Sequence, residues 1–293
     1  MKTLKSKIAL MFMVGLAIFL SACQTQTSET TSQTVDAISH AHSIAVDIND
    51  SGKLYIATHE GLLVLKDLKL SKVGENSDDM MGFSIDKKNS LRFYSSGHPA
   101  TGGNSGFQKT NDGGLTWVKV SDGIGGPVDF HSMAVSPINS NIVYGSYGKI
   151  QKSNDGGVTW NVLENSPAKI TSLLADSENE LTVYATTQQG IWISKDGGVN
   201  WESLSKDLAS SAVIVLAQNP VNPQDMLSVS SALGLVGSND GGATWSAIQN
   251  APNTIFYYLA YSQSESQIVY GIDRNNEIYK SADAGKNWLK IYE

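Results

Sequence analysis

Two kinds of side chain in the first half of this chain could do chemistry. All five histidines fall within the first 131 residues, at His40, His42, His59, His98 and His131. Four carboxylates lie close to them in sequence: Glu60, Asp78, Asp79 and Asp129. Neutral imidazole is the commonest transition-metal ligand, and carboxylates can complete such a site or act as general acids and bases. The residue types therefore indicate a metal site, another ligand site or a hydrolytic acid pair, although a single loop histidine taken alone is most often just solvated.

The elements that must position these groups are set by a repeat. A polar segment ending in Trp recurs five times at intervals of 41 to 44 residues, and its clearest copy is residues 152–160. An Asp followed by two Gly favours a tight turn, because the carboxylate accepts backbone hydrogen bonds and Gly readily adopts positive φ. We interpret one Asp in each copy as structural: Asp112, Asp155, Asp196, Asp240 and Asp283.

These segments, of the form Ser-x-Asp-x-Gly-x-Thr-Trp, resemble the Asp-box (BNR) motif of sialidase-like and sortilin-like β-propellers. A period of about 43 residues is typical of propeller blades, and each repeat contains four short alternating segments. In the third repeat these are 131–136, 142–147, 149–154 and 159–163, and the first strand of the second repeat is predicted over Met81–Asp86. We predict an all-β fold, a single six-bladed β-propeller of four-stranded antiparallel blades over residues 38–293, with blade one intact although it lacks the motif.

Strand direction predicts where the candidate residues lie. In an antiparallel blade, the entry to the first strand and the loop between strands two and three lie at one end, and the other two turns lie at the opposite end. All five histidines fall at the first end, which we call the histidine end, in blades one to three. The five Asp-containing turns fall at the opposite end, which we call the turn end. The one long insertion, Gly97–Gly106, also lies at the histidine end.

We therefore predict a ligand site at the histidine end of the channel. Its predicted ligand-binding residues are His40, His42, His59, Glu60, His98, Asp129 and His131. Its predicted metal ligands are His42, His59, His98 and His131, and the predicted cofactor is a transition metal, zinc or copper. The candidate catalytic carboxylates are Asp78, Asp79, Asp129 and Glu60, and the sequence leaves open whether the site is catalytic.

The N-terminus predicts export. Residues 1–22 combine three lysines with an apolar run of 13 residues, Ile8–Leu20, which is too short to span a bilayer but suits a signal peptide. The following Leu20-Ser21-Ala22-Cys23 resembles the bacterial lipobox, which implies lipid attachment to Cys23, the only cysteine. Residues 23–37 are predicted to be a flexible linker. We expect a protein lipid-anchored to the outer side of a bacterial cell membrane.

The net charge of the chain limits the classes of partner that it is expected to bind. The net charge is −7, and removing the signal would make it more negative. An acidic chain without basic clusters argues against nucleic-acid binding. The expected partners are the membrane, through the anchor, and a small ligand, a glycan or an envelope protein; we expect a monomer.

Several short sequence segments around the histidines resemble those of a family of exported propellers described as glycosyl-hydrolase-like and sortilin-like. They include His40-Ala41-His42, residues 57–61 and Ser96-Gly97-His98-Pro99. The resemblance implies the fold, but a fold does not fix a function. A sialidase is disfavoured, because such enzymes bind the substrate carboxylate with three arginines and this chain has only Arg92 and Arg274. A metal- or ligand-binding propeller, a glycoside hydrolase of another type and an envelope scaffold remain open.

Overall fold

The computed structural model describes residues 33–293. The predicted signal peptide, most of the predicted linker and Cys23 lie outside this range. The described residues form strands and turns without an α-helix, so none of them belongs to a helix that could cross a membrane.

Six four-stranded antiparallel sheets, each continuous in sequence, form the blades of the propeller. Blade one comprises β1 (Ala41–Val46), β2 (Lys53–Thr58), β3 (Gly61–Lys66) and β4 (Lys69–Lys72). Blade two comprises β5 (Asp79–Ile85), β6 (Phe93–His98), β7 (Phe107–Thr110) and β8 (Val118–Ser121). Blade three comprises β9 (Ser132–Val135), β10 (Val143–Tyr147), β11 (Lys149–Ser153) and β12 (Asn161–Leu163). Blade four comprises β13 (Ile170–Ala175), β14 (Val183–Thr187), β15 (Gly190–Ser194) and β16 (Glu202–Ser203). Blade five comprises β17 (Val213–Gln218), β18 (Met226–Ser230), β19 (Gly234–Ser238) and β20 (Ser246–Ala247). Blade six comprises β21 (Phe256–Tyr261), β22 (Val269–Asp273), β23 (Ile278–Ser281) and β24 (Leu289–Tyr292). The predicted all-β, six-bladed architecture is confirmed.

The ring closes by packing blade one against blade six. A single apolar cluster joins Leu54 and Ile56 of β2 to Tyr270 and Ile272 of β22. Hydrogen bonds cross the same boundary, including Tyr270 Oη to the Ser51 carbonyl at 2.8 Å. Among the described residues no strand is exchanged between these blades, so closure depends on side-chain packing and a few hydrogen bonds.

The end of the predicted linker lies on blade one. Residues 33–36 run alongside β4, where the Val35 amide donates to the Leu70 carbonyl and the Lys72 amide donates to the Gln33 carbonyl. Tyr292 Oη in β24 donates to the Asp36 carbonyl at 3.0 Å. These residues therefore partly cover the outer edge of blade one, which would otherwise offer unpaired backbone groups.

The repeat turns share one hydrogen-bond pattern. In the third repeat, Asp155 accepts from the Ser153 hydroxyl at 2.8 Å and from the Thr159 amide at 2.9 Å and hydroxyl at 2.6 Å. These bonds, with that of the Thr159 side chain the largest, lower the pKa of Asp155 to about 2. Where Asn200 replaces Thr, its side-chain amide donates to Asp196 at 2.7 Å instead. The pattern thus tolerates the substitutions that vary between the copies.

The first strands of all six blades surround a central cavity of about 510 Å³. In five of the six blades, the first strand begins with a register irregularity at the histidine end. In β1 the irregularity falls between Ala41 and Ser43, so His42 is the extra residue. A bulge redirects the side chain that it carries, and here His42 lines the cavity.

Candidate functional site

The histidines at the cavity entrance form two clusters, each centred on one aspartate. We call His40, His42, His59 and Asp79 the Asp79 cluster, and His98, Asp129 and His131 the Asp129 cluster. His40 immediately precedes β1, His59 lies between β2 and β3, and His98 ends β6. Asp129 and His131 immediately precede β9. Both clusters therefore consist of residues from first-strand entries and from loops between strands two and three.

In the Asp79 cluster, three polar groups converge. His42 Nε2 lies 3.2 Å from His59 Nδ1 and 3.3 Å from Asp79 Oδ1. His59 Nδ1 lies 2.9 Å from Asp79 Oδ2. His40 lies beside them, with its ring centroid 4.9 Å from that of His42 and 5.1 Å from that of His59. The three imidazoles can each offer one nitrogen within 4.8 Å of the others.

Burial sets the protonation state of His42. Its side chain is only 8% exposed. Burial is the largest effect and lowers its pKa to about 4; Asp79 opposes this, while His59 and His40 reinforce it. His42 is therefore a neutral imidazole near pH 7, with a nitrogen lone pair available to a ligand.

The Asp129 cluster has a buried carboxylate between two more exposed rings. Asp129 Oδ2 lies 2.6 Å from His131 Nε2 and 3.2 Å from His98 Nε2. The Asp129 side chain is only 6% exposed, whereas that of His131 is 66% exposed. The hydrogen bond to Asp129 raises the pKa of His131, against an opposing effect of burial.

Each aspartate retains an oxygen without a hydrogen bond. Oδ1 of Asp79 and Oδ1 of Asp129 are both buried and receive no hydrogen bond from any residue between 33 and 293. A buried carboxylate oxygen without a donor is costly, so such an atom calls for a partner. In both clusters, that oxygen belongs to a carboxylate that also contacts two imidazoles.

The backbone of blade two connects the clusters. Asp79 in β5 is paired with His98 in β6, so one member of each cluster belongs to the same antiparallel pair. Side chains of directly paired residues lie on the same face of a sheet, about 5 Å apart at Cβ. The charge of Asp79 also raises the pKa of His131, which is consistent with the two clusters being neighbours.

Two glycines permit this arrangement. A Cβ at Gly97 would lie 2.0 Å from the Asp79 carbonyl oxygen. A Cβ at Gly82 would lie 2.3 Å from the carbonyl oxygen of Phe130, the residue between Asp129 and His131. Both distances are far below van der Waals contact, so only glycine lets these backbones approach so closely.

Buried groups of blade two and of the segment itself fix the position of the Asp129 cluster. Ser96 Oγ accepts from the Phe130 amide at 2.9 Å and donates to the Val128 carbonyl at 3.1 Å. The Phe130 ring is fully buried. These contacts fix the segment carrying Asp129 and His131 to blade two. Ser96 and Gly82 therefore position the site. Neither residue could be assigned this role from the sequence, because their importance depends on contacts distant in sequence.

The predicted insertion folds back onto the histidine end. His98 Nδ1 lies 3.0 Å from the Gly103 carbonyl oxygen, which leaves its Nε2 facing Asp129. Asp78 Oδ1 accepts from the Ala100 amide at 2.9 Å. Asp78 thus contacts the insertion, while Glu60 is exposed and belongs to neither cluster. Of the four predicted carboxylates, the structure brings Asp79 and Asp129 into contact with histidines.

The predicted metal ligands are thus divided between two places. The sequence predicted one set of His42, His59, His98 and His131, with His40 and Glu60 nearby. The structure groups His42 and His59 with His40, and it groups His98 and His131 with Asp129. Whether either cluster holds a metal stays a prediction.

Comparison with known proteins identifies the fold. No protein-family model matches the chain, and no curated protein matches it in sequence. Among solved structures, a Niastella koreensis GH74 enzyme is similar with a TM-score of 0.65 at 17% identity, covering 88% of this chain and 46% of its own. A GH74 xyloglucanase from Xanthomonas campestris gives a TM-score of 0.63 at 16% identity, again covering 88% and 46%. An ancestral GH74 enzyme gives 0.62 at 16% identity, covering 90% and 40%.

At these identities the likeness shows a shared propeller fold. The chain spans less than half the length of each of these GH74 structures.

Proposed function

We propose that this protein is an exported, lipid-anchored β-propeller that binds a transition-metal ion at the histidine end of its channel. The observation that carries the proposal is the convergence of His42 Nε2, His59 Nδ1 and the Asp79 carboxylate. Their separations of 3.2, 3.3 and 2.9 Å are close to the spacing of ligands around a tetrahedral zinc, about 3.3 Å for metal–ligand bonds near 2.0 Å.

Hydrogen bonding alone satisfies this cluster poorly. A neutral imidazole carries one N–H, and two ring nitrogens 3.2 Å apart can share only one proton between them. Asp79 Oδ1 still lacks a donor. A cation among the three groups would accept all the lone pairs that point inward, and His42 is already in the neutral form that such a bond requires.

The donor set favours zinc or copper. Imidazole nitrogen suits Zn²⁺ and Cu²⁺, whereas Mg²⁺ and Ca²⁺ prefer sites made only of oxygen. The Asp129 cluster offers the same chemistry, two imidazoles and one carboxylate within reach of each other. The proposal therefore extends to a second ion there, bound more weakly, because its rings are more exposed.

Metal titration of the purified, chelator-stripped protein tests the proposal. Calorimetry with Zn²⁺ and Cu²⁺ should show binding to the parent protein. Binding should weaken by at least about 100-fold in a His59→Ala/His131→Ala double variant, because each cluster loses one of its few ligands. Glu60→Gln is the matched control, since Glu60 is next to His59 in sequence and belongs to neither cluster. Absence of binding by the parent, or equal binding by the double variant, would contradict the proposal.

A glycoside hydrolase is the second candidate. It is favoured by the fold likeness to GH74 enzymes, one of them described as a xyloglucanase. Two aspartates at one cavity entrance, each with an unbonded oxygen, also fit a glycosidase acid pair. This candidate predicts release of reducing sugar from xyloglucan or from chromogenic glycosides, abolished in both Asp79→Asn and Asp129→Asn. No turnover with the parent protein would leave metal binding as the function of these residues.

A further inference from the structure

The turn end of the channel contains one lysine in an otherwise uncharged ring. The second residue after the first strand of each blade lies at this end. These six positions are Ile48, Lys87, Pro137, Ser177, Pro220 and Gln263. All except Ile48 line the central cavity. Lys87 is the only charged member of the ring.

Lys87 has no acidic partner. No ion pair within residues 33–293 includes it, although six other lysines form such pairs. Its side chain is half-buried and lines the cavity. Burial is the only cause that lowers its pKa, to about 8, with no carboxylate acting on it. Lys87 is thus an isolated cation at the turn end of the channel.

Two other members of the ring also have unsatisfied groups. Ser177 Oγ and Gln263 Oε1 are buried and make no hydrogen bond within the described chain. Gln263 is already tied to the ring through its Nε2, which donates to the Lys87 carbonyl at 3.2 Å. The Ser177 amide donates to Gln218 Oε1 at 2.9 Å. These bonds hold the Ser177 backbone and the Gln263 side chain, and the free hydroxyl, amide oxygen and ammonium group remain available to a ligand.

The wall above this ring combines apolar and polar groups. Ile44 and Leu174, both half-buried, line the cavity between its two ends, together with residues such as Ser43 and Ser172. Apolar side chains combined with a few polar groups are the usual form of a small-molecule site. The apolar part favours a hydrocarbon body, and the single unpaired cation favours one negative charge.

We propose that the channel binds an organic monocarboxylate, with its carboxylate on Lys87 and its apolar body along the wall. An ammonium group has three donors, so Lys87 can bond a carboxylate and still donate to an amide oxygen such as that of Gln263. The Ser177 hydroxyl can donate to the second carboxylate oxygen. A doubly charged phosphate would leave one charge unpaired, because the ring contains no other cation.

This site is separate from the histidine clusters and does not depend on metal binding. It lies at the opposite end of the channel and uses none of their residues. Lys87 was not among the predicted site residues. Nothing in its local sequence distinguishes it from Lys88, and only the position in the ring shows its isolation.

Octanoate is the probe, with octanol as its uncharged counterpart. Calorimetry on the purified protein should show one octanoate bound per chain, with octanol at least about tenfold weaker, the scale of a charge-assisted hydrogen bond. Lys87→Met keeps a side chain of similar length without the charge and should lower octanoate affinity at least about tenfold. It should leave octanol binding unchanged. Lys88→Met is the matched control, because Lys88 is the exposed neighbour, and should bind octanoate like the parent.

Several results would overturn the proposal. They are no octanoate binding by the parent, equal affinity for octanol and octanoate, or equal loss in the two lysine variants. Saturable binding of phosphate with no binding of octanoate would also overturn it. Thermal melting checks that each variant is folded. Should Lys87→Met fail to fold, a carboxyl-carbon NMR shift of bound octanoate that is unchanged in Ser177→Ala would contradict the assigned position.

The titration is repeated on chelator-treated protein and on His59→Ala. Undiminished octanoate binding there separates this site from the metal proposal, whereas loss in both would place the carboxylate on a metal and overturn the role of Lys87.

Discussion

Replacing Trp160 with alanine should reduce the stability of the fold and loosen the Asp129 cluster as well. The Trp160 side chain is buried between blades two and three, with its ring centroid 5.2 Å from Phe107 and 5.1 Å from Phe130. Phe130 lies between Asp129 and His131 in sequence. The cavity left by the indole would therefore be next to the residue that anchors the candidate site.

The magnitude follows from what the indole contacts. Its Nε1 donates to Ser121 Oγ at 2.9 Å and to the Gly157 carbonyl at 3.0 Å. Ser121 Oγ still donates to that carbonyl at 2.6 Å, so the substitution leaves neither group without a partner. The loss is then mainly buried apolar contact, about 3–5 kcal/mol for a Trp→Ala change in a core. For a domain of this size, that corresponds to a melting temperature lower by roughly 10 °C.

Urea unfolding followed by far-UV circular dichroism measures the loss, and zinc titration of the folded variant measures the effect on the site. Trp160→Phe should cost less than half as much, because most of the ring contact remains. Trp201→Ala is the control, since Trp201 packs in a different apolar cluster. It should destabilise the protein and leave zinc affinity unchanged. A loss below about 1 kcal/mol in Trp160→Ala would refute the packing argument, and unchanged zinc affinity at the Asp129 cluster would refute the coupling to the site.

Three further predictions concern the site, the turns and the anchor. Gly82→Ala should lower metal affinity at the Asp129 cluster, because the new methyl group would displace the Phe130 carbonyl; Gly237→Ala in blade five should not change the calorimetric titration. Asp155, Asp196 and Asp240 have pKa values of about 2, below their ordinary 3.8, so their stabilising effect is complete above about pH 4 and is lost as the pH falls toward 2. Thermal melts across that range should show the decline, and Asp155→Asn should make it shallower; an equally steep curve would contradict the role of Asp155. Cys23→Ala should abolish lipid labelling and detergent-phase partitioning, and a variant that still partitions like the parent would exclude Cys23 as the anchor.

The strand pattern could be predicted from sequence because it repeats. The third-blade strands predicted at 142–147 and 149–154 are observed at Val143–Tyr147 and Lys149–Ser153. The first strands were less accurate: the second-blade strand was expected to start at Met81 but begins at Asp79. The register irregularity between Met80 and Gly82 explains the difference, because a bulge interrupts the alternation of apolar and polar residues on which the prediction depended.

The candidate site was only partly predictable. Strand parity indicated that the histidines would share one end of the channel, because it needs only the number of strands in each blade. The division of the histidines into one cluster around Asp79 and another around Asp129 could not be predicted from strand parity. It depends on the pairing of Asp79 with His98 and on the close approach of Gly82 to Phe130, which are contacts between segments distant in sequence.

The two ends of this channel differ because the repeat constrains only one of them. At the turn end, a carboxylate such as Asp155 satisfies the backbone of its own turn and takes no part in ligand chemistry. At the histidine end, loops carry no repeated motif, so residues such as His59 and His98 can differ between blades without weakening the strands. Variation is also possible in the ring at the turn end, because five of its six residues line the cavity. That freedom explains how one blade can present Lys87 where other blades carry Pro137 or Pro220.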